Sequence, residues 1–386
     1  MDESHVSLVR GDVPFRLQRA LGLIPPDRFG VVRRALLLAV ITWLPIVVWA
    51  GVRHRMLPGA VAEPLLQHFG IHVRCLVAIP LFVLAEAVAH GVTTRLVPYF
   101  LRSGLVRERD RASFVGAVRD LVALRDSSRP WVVIVALVLA VTFVAPVVED
   151  AHEVLWASGE PARGLGFGGL WFLYVARPVY FALLLGWVWR VALVALLMRR
   201  VARLELALVP THPDRAAGLG FLERLPSAFS LVVLGCSAVI ASRWAHEVVY
   251  HGVHVVDLRM PALALLVVVL IVFLSPLLVF VPKLARTKRQ AVLEYGALVG
   301  RHGRLVRGRW ITHEAVDDPE LLSAPEIGPV ADTLSLYDAV QKMRVAPLGM
   351  SSVLSVLVPV LVPLLLVASI EIPVKDVLLK LVATLA

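Results

Sequence analysis

Apolar residues run along this chain in long, nearly unbroken blocks, separated by shorter stretches rich in arginine. A soluble core leaves a different mark, with apolar positions spaced once per helical turn or alternating along a strand. Seven blocks approach the roughly 20 residues that a helix needs to cross a hydrocarbon layer of about 30 Å. They are Ala35 to Val52, Cys75 to Val92, Trp131 to Val148, Trp171 to Trp189, Leu225 to Ala245, Pro261 to Val281 and Gly349 to Ile370. Backbone groups in lipid must be satisfied within the segment, and the alternation of a barrel strand is absent. The expected fold is therefore all-α, a polytopic transmembrane helix bundle of about seven spans. Its organisation reads as an N-terminal cytoplasmic segment (1–34), six spans with loops 93–130 and 190–226 (35–281), a cytoplasmic helical segment (282–347), and the seventh span with a short outer tail (348–386).

Composition supports that class: 58% of the 386 residues are hydrophobic and the mean hydropathy is +0.79, beyond what a soluble domain can cover with polar surface. Residues 1–34 hold six arginines and no short apolar core followed by a cleavage site, so the first span is expected to be an uncleaved anchor. Segments 1–34, 93–130, 190–226 and 282–347 carry 30 Lys and Arg, whereas 53–74, 149–170, 246–260 and 371–386 carry 7. By the positive-inside rule the first set is cytoplasmic, which puts the N-terminus inside and the C-terminus outside. The net charge of +10 then belongs to the inner face and suits anionic lipid headgroups. No nucleic-acid reader motif or aromatic interleaving accompanies it. Only five of the 39 basic residues are Lys, amid abundant Ala, Val and Arg, which suggests a GC-rich bacterial genome and a bacterial inner membrane. Cys75 and Cys236 fall inside spans and read as small apolar residues. A homo-oligomer is left open.

The polar segments predict local helices. The 93–130 segment has apolar residues at helical spacing and predicts one or two amphipathic helices at the inner surface. KLARTKRQAVLEYGALVGRHGRLVRGRW is expected to continue the sixth span as a helix, and VADTLSLYDAVQKMR to form another. Trp171 and Trp189 are about 27 Å apart at 1.5 Å per residue, which fits the two aromatic belts of one span. VALVALLMRRVARLELALV then predicts a surface helix running to Pro210.

The loop that follows, VPTHPDRAAGLGFLERLP, is the densest polar stretch of the chain. Thr211 and Asp214 have the spacing of a capping box, which predicts a helix start. His212, Asp214 and Arg215 with the Gly218 and Gly220 backbone also make a candidate anion or lipid-phosphate site. The His-Pro-Asp tripeptide resembles that of a J-domain, but the first J-domain helix is missing and Pro210 interrupts the run, so a chaperone ATPase partner is not expected.

VPTHPDRAAGLGFL, with PLLVFVPKLARTKRQAVLEYGALV and QKMRVAPLG downstream and RPWVVIVALVLA upstream, resembles a family of uncharacterised bacterial multi-spanning inner-membrane proteins that carry a THPDRAxGLGF loop. The resemblance implies a membrane-embedded helical fold and no activity. Within it, Ala217 stands where glycine would be expected, and APEI at 324–327 replaces an expected acidic joint.

Function is best sought at ionisable residues in costly places, since a charge at the centre of a span costs at least about 2.5–3.5 kcal/mol. Glu86 and His90 are four residues apart on one face of the second span, Arg190 lies at a compatible depth on the fourth, and Arg177 lies deeper in it; Arg243 is near the end of the fifth. Most spans carry a proline beyond the first turn, with Pro359 and Pro363 one turn apart in the last, and broken helices recur at transporter sites. At the outer face, Glu247, His251 and His254 would share a helical stripe, joined by Glu149, Asp150 and His152, and these are Zn ligand types. No Ser-His-Asp order or catalytic carboxylate pair emerges. The pattern favours a channel, transporter or transport-associated component for a small solute or ion; the alternative is a membrane enzyme or sensor acting on lipid or a metal-linked signal.

Overall fold

The computed structural model describes residues 7–25, 29–59, 63–143, 156–157, 165–313 and 328–371. Among them the structure is helical, with an isolated bridge between Val106 and Leu206. The helices are α1 (Val13–Ala20), α2 (Val31–Val52), α3 (Phe69–Arg102), α4 (Arg111–Asp126), α5 (Arg129–Phe143), α6 (Phe167–Arg203), α7 (Gly220–Tyr250), α8 (Val255–Leu278), α9 (Val281–Arg307), α10 (Gly328–Gln341) and α11 (Met350–Ala368). Six of these, α2, α3, α6, α7, α8 and α11, are long and apolar enough to span a membrane. Counted together as one broken span, α4 and α5, which meet at a bend of 41°, bring the number to as many as seven. The chain is thus an all-α integral membrane protein.

The helices outrun the apolar blocks. α3 continues to Arg102 and α6 to Arg203, about four turns past Trp189, because arginine and leucine are good helix formers and long basic side chains reach away from the apolar surface. α6 then stops: Leu204 is extended, and 204–209 runs as irregular chain against Leu105 and Val106 rather than as the expected surface helix to Pro210. Nor is the helix after α8 a continuation, since Val279 and Phe280 form a turn and α9 begins afresh with Pro282 in its first turn. α10 packs beside α9, and Lys288 of α9 donates to the Gln341 and Met343 carbonyls at its C-terminal end.

Two ends of the bundle are tied separately. At the arginine-rich end, called the basic face below, Arg200 bonds Asp120, Arg109 bonds Glu205, and Arg344 bonds Glu223. At the opposite face Arg55 donates to the Trp156 carbonyl and His246 meets the Gln67 carbonyl. The larger core lies towards the basic face around Phe82, Phe100, Phe114, Trp187, Phe229 and Phe280; a smaller one around Ile46, Ile71, Trp156 and Phe172 lies towards the other.

Two spans carry the same irregularity. Arg74–Ala78 of α3 and Phe172–Ala176 of α6 are wound as π turns, each just ahead of a proline, Pro80 and Pro178. A proline donates no amide to the turn before it, and a π turn re-routes the local ladder. The two turns touch, with the Arg74 guanidinium 5.4 Å from the Phe172 ring.

Candidate functional site

The N-terminal segment does not trail as a tail. Leu8, Val9 and Phe15 are buried in the main core, and Arg125 of α4 bonds the Ser7 carbonyl. Asp12 begins α1 in the usual way, its Oδ1 accepting the Phe15 amide at 2.9 Å. Its other oxygen accepts Arg190 Nη2 of α6 at 2.8 Å. The same nitrogen is 3.2 Å from Glu86 Oε1 of α3, and Glu86 Oε2 bonds Arg34 in the first turn of α2. Asp12, Arg34, Glu86 and Arg190 are 2, 2, 4 and 3% exposed, so this is a buried quartet of two positive and two negative groups. Taking each ion out of water costs several kcal/mol, and only near-complete pairing offsets that. The two guanidinium groups offer more donors than the two carboxylates take up: Arg34 Nε and Nη1 and Arg190 Nε have no acceptor among the described residues. The Trp187 ring lies 4.7 Å from the Arg190 guanidinium and is itself held by its bond to the Phe82 carbonyl.

Of the intramembrane residues read from sequence, Glu86 and Arg190 meet in this quartet. His90, one turn on from Glu86, also faces the N-terminal segment, with Nδ1 2.9 Å from Ser7 Oγ and its ring on Phe29. Arg177 is elsewhere, buried near the Phe181 ring at 5.9 Å. Arg243 is exposed. Sequence reasoning missed Asp12 and Arg34, although Asp-x-Pro is a helix-start pattern and would have marked Asp12 as a cap.

The Val209–Gly220 loop is built around Asp214. Its carboxylate accepts the amides of Ala216 at 2.8 Å, Gly218 at 3.2 Å and Gly220 at 2.7 Å, with His212 Nδ1 2.9 Å away. Thus the Gly218 and Gly220 amides that the anion reading relied on are engaged by the loop's own acid, His212 is turned onto that acid, and Arg215 is exposed. The capping box expected from Thr211 gives way to the same carboxylate, and helical structure resumes only at Gly220. Arg344 braces the loop from outside, donating to the Asp214 carbonyl at 2.9 Å and to the Glu223 carboxylate, while its amide bonds the Arg215 carbonyl at 2.7 Å.

The opposite face corrects the metal stripe. α7 ends at Tyr250, Gly252 turns with φ +69°, and His254 is carried away to Glu371 at 3.2 Å, so Glu247, His251 and His254 do not converge. Glu149, Asp150 and His152 lie outside the described residues. The ligand types that do converge are Glu63, His68 and His246, whose ligand atoms lie within 4.8 Å of one another. No family model, curated protein or solved structure matches this chain.

Proposed function

We propose that this membrane protein passes a small anion, and that Arg190 and Arg34 are the groups that bind it while Asp12 sits in the anion's place. The observation that carries this reading is the Asp12–Arg190 contact at 2.8 Å inside the bundle. Glu86 is fixed near the middle of α3, but Asp12 arrives from a segment outside the spans and is what brings the quartet to neutrality. Withdrawing it leaves one surplus positive charge and several unpaired N–H groups, a site that selects a small carboxylate-like anion. Gly11 at φ +102° and Gly22 at φ +70° bracket α1 and give the segment its freedom to turn. The paired π turns before Pro80 and Pro178 are the kind of helix break found at transport sites.

The test is chemical rescue. Asp12→Ala should be destabilised, and formate, a carboxylate without its tether, should raise its melting temperature saturably in detergent. Wild type should not respond, nor should the variant respond to gluconate at equal ionic strength. In liposomes the variant should pass formate or chloride faster than wild type, and adding Arg190→Gln should remove the increase. Indifference to formate in both assays sinks the reading.

A further inference from the structure

The cluster at the face opposite the basic loops shares no residue with the Asp12–Arg34–Glu86–Arg190 quartet and has chemistry of its own. His68 ends the short turn Leu65–Gln67 and immediately precedes α3; His246 lies one turn from the end of α7; Glu63 comes from the chain just before the turn. Glu63 Oε2 is 3.8 Å from His68 Nε2 and 3.9 Å from His246 Nε2. That oxygen is buried and accepts no hydrogen bond from the described residues. The two imidazoles stack, with centroids 5.3 Å apart and planes at 23°.

The second ring nitrogen of His246 decides its chemistry. Nδ1 is 2.8 Å from the Gln67 carbonyl, which only accepts, so Nδ1 carries the hydrogen and Nε2 presents a lone pair towards Glu63. A carbonyl behind the distal nitrogen is the usual support of a metal-bound histidine. The Leu65–Gln67 turn is held in its own right: His72 Nε2 donates to the Leu65 carbonyl at 3.0 Å, and His72 Nδ1 accepts Trp43 Nε1 at 2.9 Å. Bonds of about 2.0–2.1 Å in a tetrahedral site put ligand atoms about 3.4 Å apart. The separations of 3.8 and 3.9 Å are therefore a few tenths of an ångström from bonding distance.

We propose that Glu63, His68 and His246 form a binding site for a divalent transition-metal ion of the zinc class, with the fourth position open to water or to His251. Two imidazoles and one carboxylate, without thiolate, suit Zn2+ and its neighbours, not Mg2+ or Ca2+, which prefer all-oxygen sets. His251 Nε2, 3.3 Å from His246 Nε2, is already an edge-length of such a tetrahedron away. His68 is buried while Glu63 and His246 are only partly so, which leaves the ion a way in from the surface.

Metal content decides it. Purified wild-type protein, stripped with chelator, given ZnCl2 and dialysed, should retain about one Zn per chain, and Co2+ in its place should give visible absorption of a tetrahedral site. His68→Ala and His246→Ala should each lose the metal, and Glu63→Gln should weaken its binding at least about tenfold. Glu247→Gln and His254→Ala should keep it. Should the histidine variants fold poorly, Glu63→Gln, on a loop, and the zinc-dependent rise in wild-type melting temperature carry the test. Wild type that takes up no Zn, or Zn retained equally by Glu63→Gln and by His68→Ala with His246→Ala combined, overturns the proposal.

Discussion

Asp214 shows how one side chain sets the conformation of a whole loop. Burial alone would raise its carboxyl, but the amides of Ala216, Gly220 and Gly218 and the nearby His212 more than offset that and hold it below its ordinary value. A depressed carboxyl contributes stability that is present above the unfolded value of about 3.9 and lost as pH falls through the folded one. Asp214→Asn should therefore cost about 1–3 kcal/mol at neutral pH. The gap between variant and wild type in thermal unfolding should close as the pH is taken below the ordinary carboxyl range, and a gap that stays constant would refute this role. The same loop explains an oddity of sequence. Ala217, where the resemblance leads one to expect glycine, holds φ +55° with its methyl buried. The left-handed backbone costs roughly 1–2 kcal/mol, of which burial of the methyl returns about 0.8. What the sequence could not convey was that Asp214 would take the glycine amides itself, because an acid and an external anion ask for the same donors.

Helices were the most readable part of the chain, since apolar blocks of span length have one solution in lipid, and the blocks around Ala35, Leu225 and Gly349 each became a single helix. Hydropathy carries no record of winding, so the π turns at Arg74–Ala78 and Phe172–Ala176 could not be read, even though Pro80 and Pro178 stood beside them. Nor does it record which faces meet. α3 and α7 approach closely at Gly235, where an added Cβ would lie 2.8 Å from Phe82 Cε1 and 3.4 Å from Ala78 Cα. Phe82 is fully buried and cannot swing away. Gly235→Ala should cost about 1–3 kcal/mol, read as a lower melting temperature in detergent. Combining it with Phe82→Leu should recover part of that loss, and strict additivity of the two would refute direct contact.

At the scale of the molecule, the positive-inside asymmetry and the two sets of ties give the same division into faces. In a background of Cys75→Ala and Cys236→Ala, a cysteine at Arg224 should react with impermeant maleimide only from the cytoplasmic side, and one at Asp257 only from outside; both positions are exposed. The reverse pattern would invert the orientation. The two clusters were less legible than the faces because their members are far apart in the chain. Glu247, His251 and His254 offered a local spacing, whereas Glu63 and His246 are brought together only by the docking of α3 on α7. Likewise Glu86 and Arg190 could be placed at one depth by counting turns, while Asp12 could not, since a polar segment ahead of the first span reads as a tail.

That distant pairing has a consequence for how the chain is made. Asp12 and Arg190 are separated by 178 residues, so the first of them leaves the ribosome long before the second exists. Arg34 and Glu86 are both available once α3 has been synthesised and can neutralise one another in the half-built bundle. Asp12 gains its hydrogen-bonded counter-charge, Arg190, only when α6 is threaded into the membrane. The seating of Asp12 therefore waits for α6, and it ties a segment that precedes α2 to a helix made well after it, while α7, α8 and α11 are still to come.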